Sequence, residues 1–228
     1  MRIFFEDKDL LVVFKEAGLA VENADISKPD LVSEIKKYLG NGYLGVIHRL
    51  DMPVEGLLVF AKNSKVASEL SKALSKGGLN KNYLALVCGK VGSEKGELVD
   101  YLLEEKTSPK GGKRAAISNA DNPKAKKAVL SYKLIGSKEI GDSTVSLLDI
   151  SIETGRFHQI RAQLSNMGHP IIADRKYGSD LSDKAAATLG IRNVALFANR
   201  ISFIHPVTKE RIRYEYIPEN TVIKELLG

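Results

Sequence analysis

Cysteine is almost absent: the 228-residue chain has one, Cys88. A lone thiol cannot form an internal bridge, which excludes a disulfide-stapled secreted scaffold and fits a reducing cytoplasm. It sits in the apolar run Tyr83-Leu84-Ala85-Leu86-Val87-Cys88 with no positive side chain to stabilise a thiolate, so it is expected to pack rather than react. Metal chemistry is also short of material. The histidines His48, His158, His169 and His205 have no close-spaced partners and no cysteine cluster beside them, so no metal site is expected. No apolar window approaches bilayer length, and the first residues alternate like a strand with no charged-then-apolar leader. A soluble cytoplasmic protein with no membrane partner is expected. Internal repeats, coiled-coil heptads and low-complexity tracts are also missing.

What is present suffices for a large core. At 43% apolar content the chain can bury most of its unfolded surface without staples, as one globular domain or two fused lobes. The 34 Lys and Arg outnumber the 28 Asp and Glu, giving a net charge of +6 and a pI of about 9.2. That modest excess favours polyanion partners, and its placement is more telling. Between Lys106 and Lys127 stand Lys106, Lys110, Lys113, Arg114, Lys124, Lys126 and Lys127 against the single acid Asp121, an excess equal to that of the whole chain. With Pro109, Gly111-Gly112 and Asn122-Pro123, residues 106–127 read as an exposed basic loop or hairpin insertion able to touch phosphates. Lys113, Arg114, Lys124, Lys126 and Lys127 are its candidate phosphate contacts, and a merely solvated loop is the competing reading.

Strand-like runs occur at Leu10 to Phe14, Leu57 to Ala61, Tyr83 to Val87, Ala128 to Ile135, Thr144 to Ile152, Ile201 to Ile204 and Arg211 to Ile217. A helix capped by Asn63 or Ser64 carries Val66, Ala67, Leu70, Ala73 and Leu74 at helical spacing and stops at Gly77-Gly78. A shorter one runs from Pro29 to Leu39. Helices and strands do not alternate strictly, and consecutive late strands point to antiparallel pairing. The class is therefore α+β with a mixed, mostly antiparallel sheet.

Two stretches hold candidate chemistry. His48-Arg49-Leu50-Asp51 places a carboxylate beside a fixed positive charge, in a turn that opens the apolar run Gly56 to Lys62. Asp51 is thus a candidate nucleophile or base, with a turn-capping surface acid as the bland alternative. About a hundred residues later, Thr154 to Gly168 reads as a helix capped by Thr154, with Phe157, Ile160, Leu164 and Met167 as its buried stripe. Arg161 borders that stripe and needs an anion, for which Asp51 is the natural candidate, and such a cation would favour the ionised carboxylate. His158 is expected to touch substrate or to bond a backbone carbonyl.

These pieces, with Lys81-Asn82-Tyr83-Leu84-Ala85-Leu86-Val87, Gly168-His169-Pro170-Ile171, Asp174, Tyr177-Gly178 and Phe203-Ile204-His205-Pro206-Val207-Thr208, closely resemble the RluA-type RNA pseudouridine synthases. The match runs in order over nearly the full chain. The resemblance implies a curved mixed sheet with flanking helices and a central cleft, the whole of 1–228 forming one catalytic domain. It implies an isomerase that converts chosen uridines of ribosomal or transfer RNA to pseudouridine with no cofactor. Asp51 would be the catalytic aspartate, Tyr83 the ring stacked on the target uracil and Arg161 the partner of Asp51. Arg49 would help fill the space of the displaced base, beside His48 as a further substrate contact. The chemistry agrees, because a uridine shows neither C1′ nor C5 to a side chain until it is unstacked. This chain departs from the family at Met52-Pro53-Val54-Glu55, where a hydroxyl residue is common, and at Glu16, where proline is common. No S4-like RNA-binding domain is expected ahead of it, and a monomer is expected by default. The competing reading is a non-catalytic RNA-folding chaperone that keeps the same fold.

Overall fold

A computed structural model describes residues 1–23, 25, 27–107, 112–141 and 143–228. The chain forms two compact units: Met1–Asn82 with Phe197–Ile217, and Tyr83–Leu196 with Pro218–Gly228.

In unit 1, β1 (Arg2–Glu6), β2 (Leu10–Lys15), β4 (Glu55–Ala61) and β10 (Leu196–Ile204) are successive neighbours in a sheet; β3 (Gly45–Val46) pairs with β4, and β11 (Arg211–Glu215) with β10. The β2 to β4 register is antiparallel, with Val12 opposite Val59 and Lys15 opposite Gly56, whereas β10 lies parallel to β4, so this sheet is mixed. Its β-branched and leucine residues fit a pleated surface covered on both faces, and every residue of β2 is buried. Helix α2 (Ser64–Ser75) packs Val66 and Leu70 against Leu57, Val59 and Ala61. Asn63 caps it by accepting from the Val66 N–H at 2.9 Å. Helix α1 (Leu31–Tyr38) is capped by Asp30 and buries Leu31, Val32 and Ile35.

One glycine decides the start of β4. Gly56 has φ +136°, and a Cβ there would lie 2.4 Å from the Ala198 carbonyl oxygen. Only glycine lets β10 come this close to the strand that follows the Asp51 turn.

In unit 2 the strand order is β5 (Leu79–Cys88, whose first residues belong to unit 1), β9 (Ser143–Ile152), β8 (Lys126–Ile140), β6 (Lys95–Lys106), β7 (Lys113–Ser118). The pairings β8–β9, β6–β8 and β6–β7 are antiparallel. Among the described residues, this unit holds helices α3 (Gln159–Asn166), α4 (Asp180–Leu189) and α5 (Thr221–Leu227). Cys88 is buried and its thiol pKa is pushed up by that burial, in keeping with a packing role. Among the described residues no helix is long and apolar enough to cross a membrane.

The α+β class and the mixed sheet match the sequence reading, and several local expectations change. Strands β6 and β7 escaped it because charged residues break up their apolar ones and few of their side chains are buried. The basic segment is accordingly a strand hairpin-paired to β6 and the start of β8, joined by residues 119–125; Pro109, Lys110 and Gly111 lie outside the described residues. The expected helix from Thr154 to Gly168 is shorter: α3 begins at Gln159 behind His158 in the left-handed region (φ 50°). Thr154 does not cap it, because its hydroxyl accepts from the Val129 N–H at 2.9 Å and donates to Gln159 Oε1 at 2.8 Å. The apolar stripe is corrected too. Helix α3 is buried from Gln159 to Leu164 on all sides, and Phe157 stands outside it, 40% exposed.

Candidate active site

In unit 1 the chain approaches Asp51 through His48, buried, and Arg49, exposed. Asp51 is half-exposed in a turn, where its carbonyl accepts from the Val54 N–H at 3.0 Å before β4 starts. A lysine holds this turn. Lys15, the last residue of β2, is fully buried, and its Nζ donates to the carbonyls of Glu16 (2.9 Å), Leu19 (2.7 Å) and Met52 (3.1 Å). Those acceptors take all three ammonium hydrogens, and Gly18 N–H returns a bond to Met52 O at 2.8 Å. Burial pulls the Lys15 pKa down to about 8, opposed by the negative charges of Asp51 and Glu55. Burial weakens the cation and the three carbonyls favour it; the group is charged at neutral pH on either count.

His48 is a different kind of group. Neither ring nitrogen has a protein hydrogen-bond partner, and burial, reinforced by the charge of Lys81, drives its pKa down to about 3. The imidazole is therefore neutral throughout the physiological range.

Asp7, Asp9 and His205 also meet in unit 1, with donor atoms within 4.8 Å of one another. His205 Nδ1 accepts the N–H groups of Val207 (3.1 Å) and Thr208 (3.0 Å), so its ring proton sits on Nε2, which donates to Asp7 Oδ2 at 3.0 Å. A proton on Nε2 leaves that nitrogen no lone pair for a metal. The imidazole instead fastens the His205-Pro206-Val207-Thr208 turn to the first hairpin.

In unit 2, Arg161 and Asp174 form a forked pair: Nε to Oδ2 at 2.7 Å and Nη2 to Oδ1 at 2.8 Å, with side chains 5% and 0% exposed. Burial pushes the Asp174 pKa up, but bonds from Arg161, its charge and the N–H groups of Lys176 and Tyr177 outweigh this and set it below the usual carboxylate value. Asp174, thirteen residues ahead and not the partner expected from the sequence, therefore serves as an anion for this guanidinium. The Tyr177 ring lies beneath the Arg161 guanidinium at 5.1 Å and within 5.8 Å of that of Arg114. Its hydroxyl accepts from the Ala115 N–H at 2.6 Å and is hydrogen-bonded to His158 Nδ1 at 2.8 Å. One tyrosine thus gathers His158, Arg161 and Arg114. Tyr83 is buried in β5 of the same unit.

The basic side chains divide. Lys113, Arg114, Lys124, Lys126 and Lys127 are all exposed, but Lys113 is ion-paired with Glu104 across the β6–β7 ladder. Lys124 and Lys126 line a hollow of roughly 190 Å³ together with Leu102, Glu104, Arg156 and Phe157. Arg156 Nε donates to the Lys127 carbonyl at 2.9 Å.

Residues 9–166 match the model of the RNA pseudouridylate synthase family. The chain belongs to that family, whose members are isomerases. It is 32% identical over 215 residues to the uncharacterized RNA pseudouridine synthase YhcT of Bacillus subtilis, a match covering 92% of this chain and 66% of that protein. It is 33% identical over 224 residues to tRNA pseudouridine synthase C of Haemophilus ducreyi, covering 92% of this chain and 88% of that one. The solved structure of human RNA pseudouridylate synthase domain containing 4 superposes with a TM-score of 0.76 at 21% identity, covering 99% of this chain and 92% of that one, and shows the shared fold.

The sequence reading missed Lys15, Asp174 and Tyr177 as working parts. The signals were weak but present: a lysine closing a wholly apolar run, and an acid and a tyrosine three apart after Gly168-His169-Pro170.

Proposed function

We propose that Asp51 is the catalytic carboxylate of an RNA pseudouridine synthase, acting at the ribose of a uridine lifted out of its stack. The enzyme class follows from family membership: an isomerase that breaks the bond from uracil N1 to C1′ and rejoins the base through C5, the proton lost from C5 being balanced by one taken up at N1. Asp51 either attacks C1′ or removes the 2′ proton, and both routes place its carboxylate at the sugar. Tyr83 is the ring that replaces the stacking lost by the everted base, and its hydroxyl is a candidate to handle the C5 proton. Arg161 supplies the positive charge of the site. Arg49 occupies the space the base has left, and His48 and His158 contact substrate. The observation that carries this reading is the position of Asp51 in a turn at the start of β4, where the carbonyl of the next residue, Met52, accepts from buried Lys15 Nζ, within the segment that matches the family.

The substrate is a structured RNA, transfer or ribosomal. Transfer RNA is favoured by the name of the Haemophilus ducreyi relative. Lys124, Lys126, Lys127 and Arg114 bind phosphates, and Lys113 contributes through its pair with Glu104. The chain acts as a monomer in the cytoplasm, and both units serve one catalytic domain. Incubating the protein with bulk transfer RNA and with ribosomal RNA, then mapping pseudouridine, tests the assignment. Modification of one class at discrete sites supports it. If Asp51→Ala rescues a strain lacking the gene as well as the native sequence does, the chaperone reading replaces it.

A further inference from the structure

We propose that the ring of Phe157 is a stacking platform for an unpaired base of the substrate RNA. This rests on the RNA-modifying function above and adds to it a contact that reads a base rather than a phosphate.

The exposure of Phe157 is built in. Residue 158 adopts φ 50° and ψ 26°, a left-handed conformation that L side chains seldom take. This turn ends the approach to α3 and leaves Phe157 40% exposed while His158 is 9% exposed. The two rings are stacked, with centroids 3.8 Å apart and planes at 21°. The lower ring is held in turn: His158 is hydrogen-bonded to the Tyr177 hydroxyl at 2.8 Å and meets the Tyr177 ring edge-on at 5.5 Å. Phe157 is therefore an aromatic plate backed on one face by an anchored imidazole. A plate already fixed loses little conformational freedom when a second ring is laid on it.

Its surroundings select the ligand. The hollow beside it is lined by Lys124, Lys126 and Arg156. Its one acid, Glu104, is already neutralised by Lys113. Among the described residues no carboxylate is paired with Lys124, Lys126 or Arg156. An aromatic face ringed by unneutralised cations suits a strand that carries a flat base and a phosphate on each nucleotide. A purely apolar partner would have to desolvate those cations for no return.

The test uses the full chain, a fluorescent twelve-nucleotide single-stranded RNA of mixed sequence, and an abasic ribose-phosphate strand of the same length. Phe157→Leu should weaken the base-bearing RNA about 5- to 150-fold, as loss of one base-aromatic stack does. Affinity for the abasic strand and the salt slope should not change, because no phosphate contact is removed. Phe157→Tyr, which keeps the plate, should restore binding to within about 2-fold. Equal weakening of both strands, or of neither, overturns the proposal. So does a native protein that binds the two strands alike. Pseudouridine formation by the native protein on cellular RNA is measured on the same preparation. Its absence would defeat the enzymatic reading while the stacking result still stands or falls on the binding data.

Discussion

Replacing Asp174 by asparagine removes one negative charge that holds Arg161. The amide keeps the size of the carboxylate, and its Oδ1 can still accept from the Lys176 and Tyr177 N–H groups, now at 3.0 and 3.2 Å. What disappears is the negative charge facing a guanidinium that is 5% exposed and cannot shed its proton. Breaking a buried pair on one side costs about 3–5 kcal/mol. For a chain of this size that corresponds to a fall in Tm of about 6–20 °C. The loss should depend on pH. The Asp174 pKa lies below the ordinary aspartate value of 3.8, so its contribution is complete above that pH and is lost as pH falls through the lower folded value. The gap between native and Asp174→Asn proteins should therefore be constant near neutrality and close in strong acid. Thermal unfolding from strong acid to pH 8 measures it, with Arg161→Met and the double variant Arg161→Met/Asp174→Leu completing the set. The double variant should be more stable than Asp174→Asn, since it removes both halves of this buried pair rather than one. A shift below about 2 °C in Asp174→Asn, or strictly additive losses, would refute the reasoning.

Other perturbations probe the remaining parts. Between about pH 8 and 10.5 folded Lys15 has released its proton while the unfolded chain still holds it, so unfolding takes up a proton and stability rises with pH. The stability gap between native and Lys15→Met proteins, read by urea unfolding, should widen by about 3 kcal/mol across that window; a constant gap would contradict the assignment. Gly56→Ala must place a Cβ 2.4 Å from the Ala198 carbonyl and should cost at least about 2 kcal/mol, whereas Gly92→Ala, with nothing within 4 Å, should be neutral in the same unfolding assay. Changing Lys124, Lys126 and Lys127 together to alanine should weaken RNA binding and lower the slope of log K against log salt by about 2. An unchanged slope would remove these side chains from the interface.

The strands legible in the sequence were those with dense apolar runs, such as Leu10 to Phe14 and Leu57 to Ala61, because burial on both faces leaves little choice of residue. Strands β6 and β7 were not legible. They pair through their backbones while their side chains stay half in water, so neither a run nor a clean alternation marks them. The helix after Thr154 was misread for a related reason. Its residues suit an amphipathic stripe, but tertiary contacts bury the helix on every side and a left-handed His158 delays its start. Chemistry was partly visible. The turn bearing Asp51 could be located from His48-Arg49-Leu50-Asp51, because the charge pair and the following strand are local. The tether from Lys15 to Met52, 37 residues away, and the pair of Arg161 with Asp174 depend on chain paths that no local spacing records.

The central claim is that a single carboxylate performs an isomerisation in RNA. Pseudouridine should be mapped across cellular RNA in a strain lacking this gene, complemented with either the native sequence or Asp51→Asn. The native gene should restore pseudouridine at one or a few discrete uridines, and Asp51→Asn, folded and expressed to the same level, should restore none. Full modification by Asp51→Asn would contradict the account.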